Sequence, residues 1–281
     1  MSIRIVTDSG SYITQAEARQ WGIEVLPLKS IFGEEEFTDG VTITHREFYE
    51  RLAKSPVSPT TSQVTPAQYE AVFQTASDAG DEVICITLAS LLSGCHQSAV
   101  IASDGLPTIH IVDSLSACVG ERVLVQRAIA LRDEGRSASE ITDLLEQEKS
   151  RIRVYALLDT LEYLKRGGRI SSTAALAGTL LNIKPLISVI DGTVTTAGKA
   201  RGAKKAGQLL TELIQKHGID RSRPFCFAYS GAGDDQLRAY IAENEAVFGA
   251  AGSLPVSSIG SVIGTHTGPG VVGLGFFAQE P

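Results

Sequence analysis

Three observations predict that the chain folds as an α/β protein with two domains. Short β-rich runs alternate with helical patterns through the first 150 residues, as in a largely parallel sheet flanked by helices. Residues 82–90 and 108–114 are continuously apolar, which is typical of strands buried on both faces. After about residue 151 the pattern changes to that of an α+β unit. We therefore predict an N-terminal α/β domain of residues 1–150 and a C-terminal α+β domain of residues 151–281.

Length, composition and charge exclude several classes of protein. The 281 residues suit two packed domains, and 43% apolar residues provide a core. A net charge of −7 argues against nucleic-acid binding, which needs a basic face. The four cysteines form no CxxC pair and predict reduced thiols. The chain opens on a strand and a polar turn rather than a signal peptide, so we expect a cytoplasmic protein.

The first domain contains several helix start signals after its opening strand at residues 3–7. A Thr three residues before a Glu is a capping box, in which each side chain bonds to the other residue's backbone. Two such boxes occur, at Thr14 with Glu17 and at Thr44 with Glu47. We expect the first helix to end near Gly22 and another to begin at Thr65 and Pro66.

The second domain combines strands with helices. Asp191 and Gly192 separate two runs, residues 184–190 and 193–200, and predict an antiparallel hairpin. Helices are expected after Gly202 and Asp234, and further strands at residues 224–230 and 253–259. Residues 174–190 form the most apolar region, but polar residues and a proline interrupt it, so we interpret it as buried or as lining a cavity rather than as a membrane span.

Hydroxyl-rich loops follow three of the predicted strands, at residues 7–11, 88–99 and 112–117. Ligands of open parallel sheets bind beyond the carboxyl ends of the strands. Ser93 and Gly94 open a helix there, so free backbone N–H groups could hold an anion, although Ser93 could equally be an ordinary cap. Asp8 and Asp113 fit turn or cap roles better than a metal site.

Two further segments carry unexplained polar groups. Residues 59–66, PTTSQVTP, place four hydroxyls in a loop stiffened by two prolines, which an ordinary surface turn would also explain. His266 lies between Thr265 and Thr267 in a glycine-rich tail at residues 261–277. Such glycine density indicates that the backbone passes close to another group.

These segments together resemble the DegV family of bacterial fatty-acid-binding proteins. The matching motifs are TDSGS, PTTSQVTP, LLSGCHQSA, IVDS, LEYLKRGGRIS, NIKPLISV, GKARGAKK and VIGTHTGPGVVGLGF, in family order along nearly the whole chain. The resemblance implies two α/β domains with a ligand tunnel between them that buries a long acyl chain. It also implies a non-catalytic carrier without a cofactor, which presents the fatty acid to a fatty acid kinase that makes acyl phosphate for phospholipid synthesis.

The resemblance also assigns residues to the carboxylate of the fatty acid. By motif, that group would be surrounded by Thr61, Ser62, Ser93, the Gly94 amide, Thr265 and His266. Family members often carry Thr and Tyr after the glycine of LSG, whereas this chain has Cys95 and His96. We interpret Cys95 as a small packing residue rather than a nucleophile.

Physical chemistry agrees with that assignment. Hydroxyls, a helix N-terminus and an imidazole can satisfy a buried carboxylate without a metal. Each buried methylene contributes roughly 0.8 kcal/mol, so an acyl chain of about sixteen carbons could bind tightly through its tail. Residues 174–190 offer small and branched side chains for a tunnel, although most of them would also suit an ordinary core.

Two basic segments stand out in this acidic chain. We predict that Arg169 and Arg201, each beside a glycine of a matching motif, face the kinase, because basic groups near an anion-binding mouth would suit such a partner. The neighbouring basic residues are Lys165, Arg166, Lys199, Lys204 and Lys205. These basic residues could also bind a phosphate or make a transient contact with an anionic membrane. They could equally lie on an ordinary solvated helix face.

Two other functions stay open from the sequence. Ser93 at a strand-to-helix junction and His266 could serve a serine hydrolase or acyltransferase acting on an acyl ester, with Asp8 or Asp113 orienting the histidine. The sequence contains no GxSxG elbow, which counts against a hydrolase or acyltransferase. A binding module for a small anionic metabolite is the third candidate. No GxxxxGK[ST] loop occurs, which favours a carrier whose ligand another protein phosphorylates.

Overall fold

A computed structural model describes residues 2–171 and 182–279. The strands are β1 (Ile3–Asp8), β2 (Ile23–Leu26), β3 (Lys29–Phe32), β4 (Glu35–Thr38), β5 (Thr60–Ser62), β6 (Glu82–Thr87), β7 (Ile109–Asp113), β8 (Ile152–Leu157), β9 (Ile183–Ile190), β10 (Thr193–Arg201), β11 (Phe225–Tyr229), β12 (Val256–Ser258) and β13 (Val272–Phe277). The helices are α1 (Gln15–Trp21), α2 (His45–Lys54), α3 (Pro66–Asp78), α4 (Cys95–Ala102), α5 (Val119–Asp133), α6 (Ala138–Glu148), α7 (Glu162–Arg166), α8 (Ala203–His217), α9 (Asp235–Glu243), α10 (Glu245–Phe248) and α11 (Ser261–Thr267).

A parallel sheet forms the centre of the first half, in the order β2-β1-β6-β7. Ile5 of β1 lies between Ile23 of β2 and Ile84 of β6. Ile5 and Ile84 have no exposed surface, as the continuous apolar runs predicted. The carboxyl ends of all four strands meet at one edge, which brings the predicted hydroxyl-rich loops together.

A mixed sheet forms the second half, in the order β10-β9-β8-β13-β11-β12. The predicted hairpin joins β9 to β10, with Thr193 paired to Ile190. Asp191 and Gly192 have φ of 46° and 74°, and a two-residue turn of this kind needs positive φ at both positions. The last strand of the chain, β13, lies in the middle of this sheet, between β8 and β11.

A third, antiparallel sheet, in the order β4-β3-β5, corrects the prediction of a simple loop at residues 59–66. Thr61 of β5 pairs with Ser30 of β3. This strand was not predictable from local sequence, because its three polar residues carry no apolar alternation and its partner lies about thirty positions away. Pairing fixes the backbone of Thr61 and therefore the direction of its side chain.

The predicted start signals of the helices are confirmed. Thr14 with Glu17 and Thr44 with Glu47 both form complete capping boxes. Thr65 caps α3, and Pro66 is its first residue. Gly22 ends α1 in the left-handed conformation, with φ of 62°.

Two helices connect the halves. α5 packs against β1 and β6 on one side and against β8, β11 and β13 on the other. A Cβ at Gly275 of β13 would lie 2.7 Å from the carbonyl carbon of Val119, so glycine is needed where α5 meets this strand. α11, near the chain end, packs against α2, β3 and β5 of the first half. The division at residue 150 remains a prediction.

None of the described helices is both long and apolar enough to cross a bilayer.

Candidate functional site

A cavity lies between the parallel sheet, the mixed sheet and α11. It contains about 990 Å³ not filled by protein atoms, part of which is open to solvent. Among the described residues, its polar lining consists of Thr61, Gln63, Ser93, Gly94, Arg169, His266 and Thr267.

The remaining walls of the cavity are apolar. The first half contributes Leu88, Leu92, Ala117 and Val119, and the mixed sheet contributes Val154, Ala156, Ile187, Val189 and Val194. Small and branched side chains of this kind exclude water and favour an apolar ligand. Both halves of the chain build the wall, so the cavity exists only when they pack together.

His266 and Thr61 meet in the polar part of the lining. The Nε2 atom of His266 lies 3.0 Å from the hydroxyl oxygen of Thr61, and the tautomer decides which one donates. The other ring nitrogen, Nδ1, is buried and has no hydrogen-bond partner among the described residues. A Cβ at Gly167 would lie 2.0 Å from Nδ1, so glycine at that position makes room for the ring.

Burial keeps the imidazole of His266 neutral. The residue is only 9% exposed. Loss of hydration, with a smaller contribution from the positive charge of Arg169, lowers the pKa of His266 to about 4. At pH 7 His266 therefore offers a neutral donor or acceptor, and the positive charge of this region belongs to Arg169.

The helix that carries His266 is anchored to the first half at its N-terminus. A carboxylate oxygen of Asp39 accepts hydrogen bonds from the backbone N–H and the hydroxyl of Ser261, at 2.8 and 2.7 Å. The hydroxyl of Tyr12 accepts from the backbone N–H of Ile263 at 2.6 Å. Free N–H groups at a helix start need partners, and these contacts fix the position of α11.

Ser93 and Gly94 lie at the start of α4, as the sequence predicted. The Ser93 hydroxyl donates to the Cys95 sulfur at 3.2 Å and accepts from the Cys95 N–H at 3.3 Å. Gly94 is the N-cap residue of α4. Burial raises the pKa of the Cys95 thiol well above its usual range, so the interpretation of Cys95 as a packing residue fits the structure.

Three residues in this region were not predicted to belong to the site. The Gln63 amide nitrogen donates to the Gly94 carbonyl at 3.1 Å and to the Ser98 hydroxyl at 2.7 Å, tying β5 to α4. Thr267 lines the cavity, and Gly167 packs against His266. Gln63 directly follows the hydroxyl motif, and Thr267 is the second threonine of GTHTG, so their position within motifs was the available signal.

Two predicted residues lie outside the cavity lining. The Thr265 hydroxyl donates to the Ser261 carbonyl at 2.8 Å, and Thr265 lines a neighbouring pocket instead. Ser62 is half-buried at the end of β5 and lines neither space. Their role at a carboxylate remains a prediction from motif alone.

The two arginines assigned to a partner occupy different places. Arg169 lies at the cavity, where its Nε donates to the Leu92 carbonyl at 3.1 Å, and the residue is exposed. Arg201 is exposed at the end of β10 and does not line the cavity. A contact of either residue with a partner remains a prediction.

The hydrolase arrangement is not favoured. Within residues 2–171 and 182–279, no hydrogen bond joins Ser93 to His266, whose Nε2 contacts Thr61 instead. Asp8 accepts from the backbone N–H groups of Leu88 and Gly10. Asp113 accepts from the backbone N–H of Ser90, in the loop after β6, and from that of Leu115. Neither carboxylate orients His266, so a Ser-His-Asp relay is not assembled.

The predicted lining segment is described only in part. Ile187 and Val189 of β9 line the cavity, as expected for residues 174–190. Residues 174–181 lie outside the described residues.

The fold and the site define an α/β protein with an apolar cavity that ends in a small set of polar groups. The family model described as "Uncharacterised protein, DegV family" matches residues 2–279. A DegV domain-containing protein of Caldanaerobacter subterraneus subsp. tengcongensis is 36% identical over 283 residues, covering 99% of each chain. The chain therefore belongs to the DegV family, which confirms the resemblance.

Solved structures agree with the fold. A Thermus thermophilus DegV family protein, described as binding fatty acid, superposes with a TM-score of 0.87 at 34% identity and covers 99% of this chain and 100% of that one. Bacillus subtilis DegV, described as a fatty acid binding protein, gives a TM-score of 0.85 at 31% identity, covering 99% of this chain and 100% of its own. The predicted α/β fold is confirmed.

Proposed function

We propose that this protein is a non-catalytic carrier that buries a long-chain fatty acid and presents its carboxylate to a fatty acid kinase for acyl-phosphate formation. The observation that carries the proposal is the cavity of about 990 Å³, apolar along most of its wall and polar in one small region. The fatty acid binding described for the Thermus and Bacillus relatives supports it.

The polar lining suits a carboxylate. A buried carboxylate needs several donors, and each such bond to a charged group contributes roughly 1.5–3 kcal/mol. The hydroxyls of Thr61 and Ser93, the N–H of Gly94 and the ring of His266 supply donors, and Arg169 supplies a positive charge. Ser62 and Thr265 belong to the proposed set through their motifs.

Presentation to a kinase is supported by the exposure of this region. Arg169 is exposed beside the polar lining, so the head group lies near the protein surface. Arg201 offers a second exposed cation for the partner, and a transient contact with an anionic membrane surface fits the same charges. A cytoplasmic location is part of this proposal.

Mass spectrometry of the natively purified protein, followed by denaturing extraction, tests the proposal. We expect one fatty acid per chain, because roughly 0.8 kcal/mol per buried methylene holds a long tail tightly. Loaded protein mixed with a fatty acid kinase catalytic subunit and ATP should yield acyl phosphate. Protein that carries no lipid and takes up none from a fatty-acid mixture would contradict the carrier function. Binding without acyl phosphate would remove only the kinase step.

A further inference from the structure

A second pocket, which we call the outer pocket, adjoins the polar lining of the cavity. It contains about 640 Å³ not filled by protein atoms and open in part to solvent. Thr61, Arg169 and His266 line both spaces. The outer pocket adds Ser58, Thr60, Tyr163, Arg166 and Thr265. The two spaces therefore lie on either side of residues that we assign to the carboxylate.

The outer pocket carries two positive charges. The Nη1 atom of Arg166 donates to the Ser58 hydroxyl at 2.6 Å, and its guanidinium lies 5.7 Å from the centre of the Tyr163 ring. Arg169 donates to the carbonyls of Leu92 and Gly167. Within the part of the chain that the structure describes, no ion pair joins either guanidinium to a carboxylate. A fatty acid carboxylate brings only one negative charge to these two cations.

Donors accompany the charges. The Ser58 oxygen accepts from Arg166, which leaves the Ser58 hydroxyl hydrogen available to a ligand. Arginine guanidiniums bind phosphate oxygens in a planar, two-pronged geometry, which makes arginine a favoured phosphate ligand. A dianionic group that carries several acceptor oxygens fits this set better than a second carboxylate does.

We propose that the outer pocket holds the phosphoryl group of a long-chain acyl phosphate while its acyl tail stays in the cavity. This inference rests on the proposed function. In the kinase step a carboxylate oxygen forms a bond to the γ-phosphorus of ATP, the bond from that phosphorus to the bridging oxygen breaks, and ADP leaves with the electron pair. The product carries a phosphoryl group with a charge of about −2 near neutral pH, against −1 for the fatty acid. Arg166 then recognises the product rather than the substrate.

Two ligands with the same tail separate these roles. Hexadecyl phosphate stands in for the acyl phosphate, and palmitate is the fatty acid. Dissociation constants of both are measured by displacement of a fluorescent fatty acid from delipidated protein and from the Arg166→Ala variant. Lys165→Ala is the matched control, because Lys165 is an exposed cation next in the chain that lines neither space. Thermal unfolding checks that each variant is folded.

We expect Arg166→Ala to weaken hexadecyl phosphate binding about tenfold or more, since bonds to a charged group are lost, and to change palmitate binding less than about twofold. Lys165→Ala should alter neither constant. Equal losses for both ligands, or an unchanged constant for hexadecyl phosphate in Arg166→Ala, would overturn the inference while leaving fatty-acid binding in place. Wild-type protein that binds neither ligand would overturn the proposed function itself.

Discussion

At the scale of single residues, the polar lining combines neutral donors with one nearby cation. His266 is neutral at pH 7 because burial lowers its pKa to about 4. Thr61 and Ser93 contribute hydroxyls, and Arg169 contributes the charge. Such a set would orient the proposed carboxylate without the cost of burying several charges together.

Ser93→Ala tests the head-group assignment. We expect the dissociation constant for palmitate to rise about tenfold, because one hydrogen bond to a charged group is lost while the tail remains buried. Isothermal titration of delipidated protein measures it. Ser90→Ala, an exposed serine of the same loop that lines neither space, is the control. An unchanged constant in Ser93→Ala would remove Ser93 from the site.

The pKa of His266 provides a test of whether its ring is buried and neutral in solution. We expect its ring resonances in NMR to stay those of the neutral form from pH 8 to 5 and to titrate only near pH 4, with His266→Gln used to assign them. A midpoint near 6.5 would contradict the burial of this ring in solution.

The same low pKa couples His266 to stability. The unfolded chain binds a proton at His266 near pH 6.5, whereas the folded chain binds it only near pH 4. The contribution of the neutral ring to the free energy of unfolding is therefore present above pH 6.5 and is lost as the pH falls from 6.5 to 4. Asp8 acts oppositely, because burial raises its pKa to about 6 and so its contribution is lost as pH rises. Comparison of the free energy of unfolding of wild type and of His266→Gln as a function of pH separates the contributions of His266 and Asp8.

At the scale of elements, α11 determines where His266 lies. The helix belongs to the end of the chain, yet Asp39 and Tyr12 hold its first turn from the other half. Asp39 is only 3% exposed and also accepts from the Ser9 hydroxyl at 2.9 Å. A carboxylate at the N-terminus of a helix also interacts favourably with its dipole.

Asp39→Asn should loosen this helix. The amide has one acceptor oxygen where the carboxylate has two, so we expect the free energy of unfolding to fall by about 1–3 kcal/mol and palmitate affinity to fall with it. Urea denaturation at pH 7 measures the first effect. Asp104→Asn, at an exposed aspartate, is the control. Equal stability of the two variants would show that Asp39 does not hold α11.

At the scale of the whole molecule, the cavity is a product of packing between the halves. Val194 and Val154 of the mixed sheet lie in the same lining as Leu88 and Val119 of the first half. Burial of a ligand between them stabilises only the packed state, so bound fatty acid should raise the melting temperature.

A bulky side chain in this wall should shorten the accepted ligand. Val194→Phe places a ring in the cavity, so we expect palmitate affinity to fall at least about tenfold, as overpacking costs roughly 1–3 kcal/mol, while a ten-carbon fatty acid binds nearly as before. Displacement titrations with both acids measure this. Thr193→Phe, at the exposed residue next to Val194 whose side chain lies on the opposite face of the strand, should change neither. Equal losses for both acids would place Val194 away from the tail.

The sequence by itself determined the features that neighbouring residues control. Capping boxes at Thr14 and Thr44 and the turn at Asp191 and Gly192 depend on residues within a few positions, and all were predicted correctly. The parallel strands were predictable because burial on both faces leaves continuous apolar runs. Motif resemblance identified the family and named Thr61, Ser93 and His266 before any contact was known.

Only the tertiary structure decided which of these residues meet. Thr61 and His266 are 205 positions apart, and Asp39 and Ser261 are 222 apart. The strand at Thr60–Ser62 forms because β3 pairs with it, and the glycine at position 167 matters because His266 packs there. No local sequence pattern predicts such contacts. They form only when the free energy gained from packing offsets the entropy lost in bringing distant segments together.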